Sequence, residues 1–449
     1  MNIVIIGNGK VGRALTEKLS YQGHNIVVID KDYTKTYKIV NNYDVRAICG
    51  NGALHGTQIK ADVNKADLVI SVTSSDETNL ISSITAKSLN VKHTIARISD
   101  VEYIYQTKFM IENFNLNMII NQEKLASEEI LRTLNIPNWI KIKHLVNESI
   151  KFVEITLNKD NRMINNKIID VSKKFKSNLL IYAIKRDDDV YIVNENFIMK
   201  ENDVVYLFID EIDLNNFLKS MGIIDKKIES VMIVGGGNTS IYLANELVNM
   251  GVRVKIIEKD VDTCRSLTQL TPKSKIINED GTVQDVLLEE GINNTDVFIS
   301  MTGIDETNII MSMYAHHCNV PKVITKINNT DIIRLLEFSG LNTFVSPMEI
   351  VSNEVVQFVQ EKENIILNEY ISEFVSNKIK VSKFKIKNND RTLGCSLKKL
   401  NKKDDIKIVM IIRNQRMIIP TDGEFIKEDD EIIVISKNKH FVKLDNLIY

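Results

Sequence analysis

Short apolar runs at residues 2–6, 26–29, 45–48, 68–72, 94–98 and 117–120 alternate with stretches whose apolar residues recur at helical spacing. That alternation predicts a doubly wound parallel sheet over residues 1–135. Helices are expected to start near Lys10, Tyr33, Asp76 and Glu102. A further helix is expected over residues 123–134, ending before Pro137, since the residue preceding a proline is pushed out of the helical region. From about 140 to 222 the texture changes to short β-type segments at 151–157, 179–184, 190–193 and 204–209, which reads as a small α+β module. The strand and helix alternation returns at 227–364, and a second small module is expected at 370–449.

The large-small-large-small order reflects an internal duplication. The run Asn2–Ile6 leads into Gly7-Asn8-Gly9-Lys10-Val11-Gly12, and the next strand ends in Asp30. In the second copy Val231 to Val234 lead into Gly235-Gly236-Gly237-Asn238-Thr239-Ser240, and the next strand ends in Glu258. Gly235 follows Gly7, and Glu258 follows Asp30, by the same 228 residues. Thr73-Ser74-Ser75-Asp76-Glu77-Thr78-Asn79 returns 229 residues later as Thr302-Gly303-Ile304-Asp305-Glu306-Thr307-Asn308. The small modules repeat as well: Phe197 to Asp203 returns, one residue shorter, as Phe425 to Asp430.

A glycine-rich turn between a strand and a helix is suited to a dinucleotide. Gly7 permits the tight turn, Gly9 lets a pyrophosphate approach the backbone, and Gly12 lets helix pack on strand. The helix N-terminus behind them offers unpaired N–H groups and partial positive charge to an anion. Asp30, 18 residues after Gly12, is positioned to accept from both ribose hydroxyls of an adenosine. A carboxylate there repels a 2′-phosphate, so NAD or ADP/ATP ligands are favoured over NADP. Lys10 would add charge for phosphate, or else be solvated. In the second copy Ser240 replaces the third glycine and Asn238 stands where Lys10 does, so two unequal sites are expected.

Asn51-Gly52 and Asp280-Gly281 follow the third strand of each copy, where a loop reaches an adenine or ribose edge. Thr73-Ser74 and Thr302-Gly303 follow the fourth strand, at the crevice over the strands' carboxyl ends. Arg97 and Lys326 occupy matching positions at the fifth, facing phosphate or forming an interface ion pair. The Asp-Glu-Thr-Asn segments also read as helix starts with acidic first turns.

Composition narrows the picture. With 57 basic against 59 acidic residues the chain lacks the broad basic surface of a nucleic-acid binder. Cys49, Cys264, Cys318 and Cys395 are far apart, predicting reduced thiols and neither zinc site nor disulfide scaffold. No apolar run reaches the roughly 18 residues needed to span a bilayer, and residue 1 leads directly into a strand, so a soluble protein is expected. The histidines, His24, His55, His93, His144, His316, His317 and His440, occupy no repeated position, so none reads as a duplicated general base.

These motifs resemble one family over essentially the whole chain: TrkA proteins, regulatory subunits of Trk-type potassium uptake systems, with tandem RCK (KTN) nucleotide domains each followed by a TrkA-C module. The large-small-large-small order and the paired Asp-Glu-Thr-Asn segments carry the resemblance most specifically. It implies an α/β fold with two Rossmann-like doubly wound domains, 1–135 and 227–364, and two α+β TrkA-C modules, 140–222 and 370–449. It also implies a non-enzymatic, cytoplasmic protein, peripheral on the inner face of the membrane, that gates a membrane potassium translocator (TrkH/TrkG type) in response to NAD(H) and ATP/ADP. A homo-oligomer, dimer or tetramer ring, follows from the same resemblance. By similarity the first ligand would be held by Gly7, Asn8, Gly9, Lys10, Val11, Gly12, Asp30, Asn51, Gly52, Thr73, Ser74 and Arg97. Gly235, Gly236, Gly237, Asn238, Thr239, Glu258, Thr302 and Lys326 would serve the second. The alternatives are an NAD-dependent oxidoreductase, which would need an acid/base residue beside the nicotinamide, and a soluble nucleotide sensor acting on another protein.

Overall fold

The computed structural model describes residues 1–104, 106–134, 136, 140–144, 150–159, 161–175, 178–187, 189–221, 228–329, 331–336, 340–341, 343–363, 369–370, 379–386, 388, 391–400, 406–414, 416–421 and 423–437. The first domain runs β1 (Asn2–Ile6), α1 (Lys10–Tyr21), β2 (Asn25–Asp30), α2 (Tyr33–Asn42), β3 (Arg46–Cys49), α3 (His55–Lys60), β4 (Leu68–Ser71), α4 (Asp76–Ser88), β5 (His93–Arg97), α5 (Val101–Ile104), α6 (Thr107–Phe114), β6 (Met118–Ile120) and α7 (Gln122–Leu134). Its strands form a parallel sheet in the order β3-β2-β1-β4-β5-β6. All of β4, and β1 from Ile3 onward, is buried, because helices cover both faces of a parallel sheet. The helix periodicity does not predict α3, whose six residues are too few to show a repeat. It is fixed by the buried Gln58, which donates to the carbonyls of Gly52 and Ser82.

The first small module contains β7 (Ile140–His144), β8 (Ile150–Thr156), α8 (Ile168–Phe175), β9 (Leu179–Arg186), β10 (Asp189–Ile192), β11 (Val204–Asp210) and α9 (Glu211–Ser220), with an antiparallel sheet ordered β10-β9-β11-β8-β7. The second domain runs β12 (Ser230–Val234), α10 (Asn238–Asn249), β13 (Arg253–Glu258), α11 (Val261–Leu270), β14 (Lys275–Asn278), α12 (Gln284–Glu289), β15 (Val297–Ser300), α13 (Asp305–His317), β16 (Lys322–Lys326), α14 (Asp331–Leu335), β17 (Phe344–Val345) and α15 (Pro347–Glu363). Its parallel sheet, β14-β13-β12-β15-β16-β17, repeats the first strand for strand. The second module, β18 (Glu369–Tyr370), β19 (Ile379–Lys385), α16 (Leu397–Leu400), β20 (Ile406–Arg413), β21 (Arg416–Ile418) and β22 (Glu431–Lys437), has the sheet order β18-β19-β22-β20-β21, the same neighbours as in the first module.

The chain divides into two units, one of the two large domains and one of the two small modules. Within the first unit the domains exchange their last helices. Ala126, Ile130 and Leu134, four residues apart on α7, lie in the core of the second domain with Ile233, Ala244 and Leu247. Val351, Val355 and Val359 of α15 lie in the core of the first with Ile5, Leu15 and Leu19. At about 1.5–3 kcal/mol for each large apolar side chain buried, the exchange fastens the two domains firmly together.

In the second unit the two modules share a core in which Phe152, Tyr182 and Phe208 meet Val381, Met410 and Ile433. Each carries the same buried ion pair. The fully buried Asp203 accepts from Arg186 Nε and Nη2 and from Lys200 N, and Asp430 accepts likewise from Arg413 and from Lys427 N. Arg186 also donates to the Ile198 carbonyl and Arg413 to that of Phe425. Phe425 is thus the counterpart of Ile198 rather than of Phe197, and the repeat needs no missing residue.

Lys322, at the start of β16, is 7% exposed and donates to Thr343 Oγ1 at 3.0 Å. Burial pushes its ammonium down to about 8 from the ordinary 10.5. Its share of stability is therefore present above pH 10.5 and is lost as pH falls through about 8, where the folded protein must bury the charge. Lys322→Met is expected to exceed the parent in stability by about 2 kcal/mol at pH 7, with most of the difference gone above pH 10. Urea unfolding at the two pH values checks this; a difference that does not change with pH would refute it.

Candidate functional site

The β1–α1 turn is built on backbone geometry that only glycine tolerates at two points. Gly7 has φ +105°, and a Cβ there would sit 2.8 Å from Thr73 N. A Cβ on Gly12 would lie 1.8 Å from the Gly7 carbonyl oxygen, so α1 crosses its own approach loop at van der Waals limit. Gly9, at the α1 N-cap, is different: a Cβ there would meet nothing within 4 Å. No side chain caps α1 and no acidic residue lies in its first turn, which leaves the helix N-terminus to an anion.

Asp30 braces this turn. Its Oδ2 accepts from Asn8 N at 2.6 Å and its Oδ1 from Asp32 N at 2.9 Å, which fixes the carboxylate at the end of β2 and leaves further lone pairs for hydroxyl donors. The β4–α4 turn is held by Asn79, which is completely buried. Its Oδ1 accepts from Thr73 N and Oγ1, and its Nδ2 donates to the carbonyls of Thr73 and Arg97. Asp76 accepts from Ser99 N and Asp100 N, tying down the loop after β5. The Asp-Glu-Thr-Asn segment therefore does more than start a helix: it joins two strand ends at one crevice.

These elements enclose a cavity of about 530 Å³. Gly7, Gly9, Lys10, Val11, Asp30, Asn51, Gly52, Thr73, Ser74 and Arg97 all line it. Asn8 and Gly12 do not: Asn8 is buried with Nδ2 donating to the Lys35 carbonyl, and Gly12 packs behind the turn. Four basic residues, Lys10, Lys31, Lys35 and Arg97, face two acidic ones, Asp30 and Asp32, across the lining. Asn328 and Met348 of the second domain complete the wall, with Gln122 at the start of α7. Local motifs give no sign of these three: Met348 arrives on the exchanged α15, Asn328 in the loop after β16, and Gln122 at the start of α7.

The second copy repeats the frame with altered chemistry. Gly235 has φ +108° and Gly236 N donates to Glu258 Oε2 at 2.7 Å, while Asp260 N donates to Oε1. Glu258 is one methylene longer than Asp30 and crowds position 236: a Cβ there would lie 3.0 Å from Glu258 Cγ and 2.6 Å from Leu267 Cδ1, so these side chains would have to shift. Ser240 stands where Gly12 does, and its hydroxyl donates to the Gly235 carbonyl. Asn308 holds Thr302 and the Lys326 carbonyl as Asn79 holds Thr73 and Arg97. Gly237 is open, Thr239 is buried, and Asn238 Nδ2 donates to the Ser99 carbonyl of the first domain at 3.2 Å. Burial holds the Lys326 ammonium below its usual range, and Glu123 and Asp305 oppose that shift.

The TrkA-N domain family matches residues 3–122 and 231–347, and the TrkA-C domain family matches 152–222. The "Trk system potassium uptake protein TrkA homolog 2" of Methanosarcina mazei is 27% identical over 448 residues, spanning 97% of this chain and 97% of its own. The crystal structure of the GsuK RCK domain superposes with a TM-score of 0.62 at 17% identity, over 100% of this chain and 94% of that one. The structure titled "GsuK channel bound to NAD" does so with a TM-score of 0.63 at 18% identity, over 100% and 78%.

Proposed function

The chain belongs to the TrkA family, and on that premise we propose that it is a regulatory subunit that binds NAD(H) and ATP/ADP and thereby gates a membrane potassium translocator of the TrkH/TrkG type. On this reading the nucleotide domains occupy 1–135 and 227–364 and the TrkA-C modules 140–222 and 370–449. The observation that carries it is the first cavity, where a glycine turn, an open helix N-terminus, a braced carboxylate and four basic residues meet. Adenosine ribose would lie against Asp30, with phosphates over Gly9 between Lys10 and Arg97. Glu258, Gly237, Asn238, Thr302 and Lys326 would form a second, weaker site.

Gating would work by population shift: a nucleotide favours one shape only by as much as it binds that shape more tightly. Because Asn328 and Met348 of the second domain wall the first cavity, a ligand there reports on the relation between the domains. Among the described residues no helix is long and apolar enough to cross a membrane, in keeping with a cytoplasmic protein that acts from the membrane's inner face. Exposed apolar residues recur at matching positions in both domains, Leu54 with Val283, Ile59 with Leu288, Ile81 with Ile310 and Ile84 with Met313. Apolar positions kept exposed twice over support a homo-oligomer, dimer or tetramer ring.

Mass analysis of ligand retained on purification, followed by calorimetry with NADH, ADP and ATP, tests the reading. The expected result is an adenine nucleotide or dinucleotide at up to two per chain, with a change in potassium flux when the translocator is present. Absence of affinity for all three would overturn it, and turnover of bound NADH with a substrate would point to an oxidoreductase.

A further inference from the structure

We propose that Glu123 couples the two nucleotide pockets, its carboxylate standing between Arg97 of the first and Lys326 of the second. The proposal rests on the nucleotide-binding reading above and names its regulation. Arg97 and Lys326 are structural counterparts: each ends the fifth strand of its sheet, and each has its carbonyl held by the same buried asparagine, Asn79 or Asn308. Glu123 is the second residue of α7, the helix that leaves the first domain to pack on α10, at whose N-terminus lies the second glycine-rich turn. Its neighbours reach both sides. Gln122 lines the first cavity, and Asn121 Nδ2 lies 3.4 Å from the Tyr242 hydroxyl on α10.

The pairing of Glu123 is loose. Arg97 Nη2 and Glu123 Oε1 are 3.4 Å apart, long against the roughly 2.7–2.9 Å of a strong charge-assisted bond. Arg97 Nε and Glu123 Oε2 are buried without a hydrogen-bond partner among the described residues, so both groups keep unused capacity. Geometry brings Glu123 toward Lys326 as well, since Gln122 and Asn328, beside them in the chain, line the same cavity; Glu123 and Asp305 both oppose the effect of burial on the Lys326 ammonium, and Lys10 adds to it. The repeat places Met348 at the equivalent position, since Asn121 and Ser346 cap α7 and α15 through the same third-residue amide. The repeat therefore has one carboxylate here, near both basic residues, and no second at the twin position.

A phosphate entering the first pocket draws Arg97 away from Glu123. The released carboxylate then turns toward Lys326, and the second pocket loses attraction for a phosphate of its own. Linkage makes the effect reciprocal, so the pockets oppose each other's filling.

The test is hydrogen exchange at the two glycine-rich turns, residues 7–12 and 235–240, during ADP titration of the full chain and of Glu123→Gln. Removing the charge is expected to lower the ADP midpoint at both turns, by about fivefold each. A residue that merely supported α7 would weaken binding when altered, and a charge belonging to one pocket would move one turn alone. A fall at one turn only, at neither, or a rise at either overturns the coupling. Absence of ADP protection at both turns of the parent chain would instead overturn the nucleotide-binding reading itself. Glu123→Ala, which a helix accommodates, repeats the test with the same expectation.

Discussion

Gly9→Asp is expected to weaken nucleotide binding at the first pocket by at least about a hundredfold while leaving the thermal transition of the chain in place. The two effects separate because of where Gly9 sits. A side chain there projects into open space, and aspartate is among the preferred residues at a helix N-cap, so the fold loses nothing. The new carboxylate would occupy the position that the α1 N-terminus offers to an anion, between Lys10 and Arg97. Asp30→Ala would be a less clean choice, because Asp30 also holds Asn8 N and Asp32 N, and its loss loosens the turn as well as the ribose contact. Calorimetry with ADP and NADH beside a melting curve checks the expectation. Affinity within about threefold of the parent would show that ligand does not approach this turn.

Gly12→Val, five residues from the turn's first glycine, is expected to do the opposite: to destabilise the first domain by about 3 kcal/mol or more. Its Cβ would lie 1.8 Å from the Gly7 carbonyl oxygen and 3.0 Å from the Gly7 carbonyl carbon, and backbone cannot swing aside as a side-chain tip can. Gly7 itself holds a left-handed conformation reserved for glycine, with the Val72–Thr73 backbone beside it, so the turn is poorly placed to adjust. The second copy shows the mildest available replacement. Ser240 keeps a Cβ at this position and turns the clash into a hydrogen bond to the Gly235 carbonyl. Gly12→Ser brings the same Cβ but can donate to the Gly7 carbonyl where valine adds two methyl groups, so it should lose less than Gly12→Val. Denaturant unfolding of the two variants beside the parent measures both quantities, and a valine variant as stable as the parent would refute the packing argument.

The strand and helix alternation made the parallel sheets legible, because a buried strand and an amphipathic helix impose different periods on the chain. The repeat made the frame of each pocket legible too. Gly7, Asp30, Thr73 and Arg97 share one cavity because a glycine turn, a strand end and a helix start sit at fixed places in such a sheet. Asn79 was within reach of the same reasoning, being repeated as Asn308, but its weight lies in full burial, which no sequence position discloses. Asn328, Met348 and Glu123 were beyond that reach. They lie at the boundary between the domains, where the packing of α7 and α15 onto opposite partners brings the two domains together. Asn8 sits inside the glycine motif yet faces the Lys35 carbonyl, since local motifs specify the backbone path better than side-chain direction.

One polypeptide carries two nucleotide domains of the same fold, and the exchange of α7 and α15 locks them together. A pair assembled from separate identical chains would receive every mutation in duplicate, and its two pockets would stay alike. A covalent pair is under no such obligation. Asn238 can stand where the first copy has Lys10, and Glu258 where it has Asp30, while the first copy keeps its own residue. Tethering thus lets the two pockets diverge in chemistry while they stay in fixed one-to-one proportion.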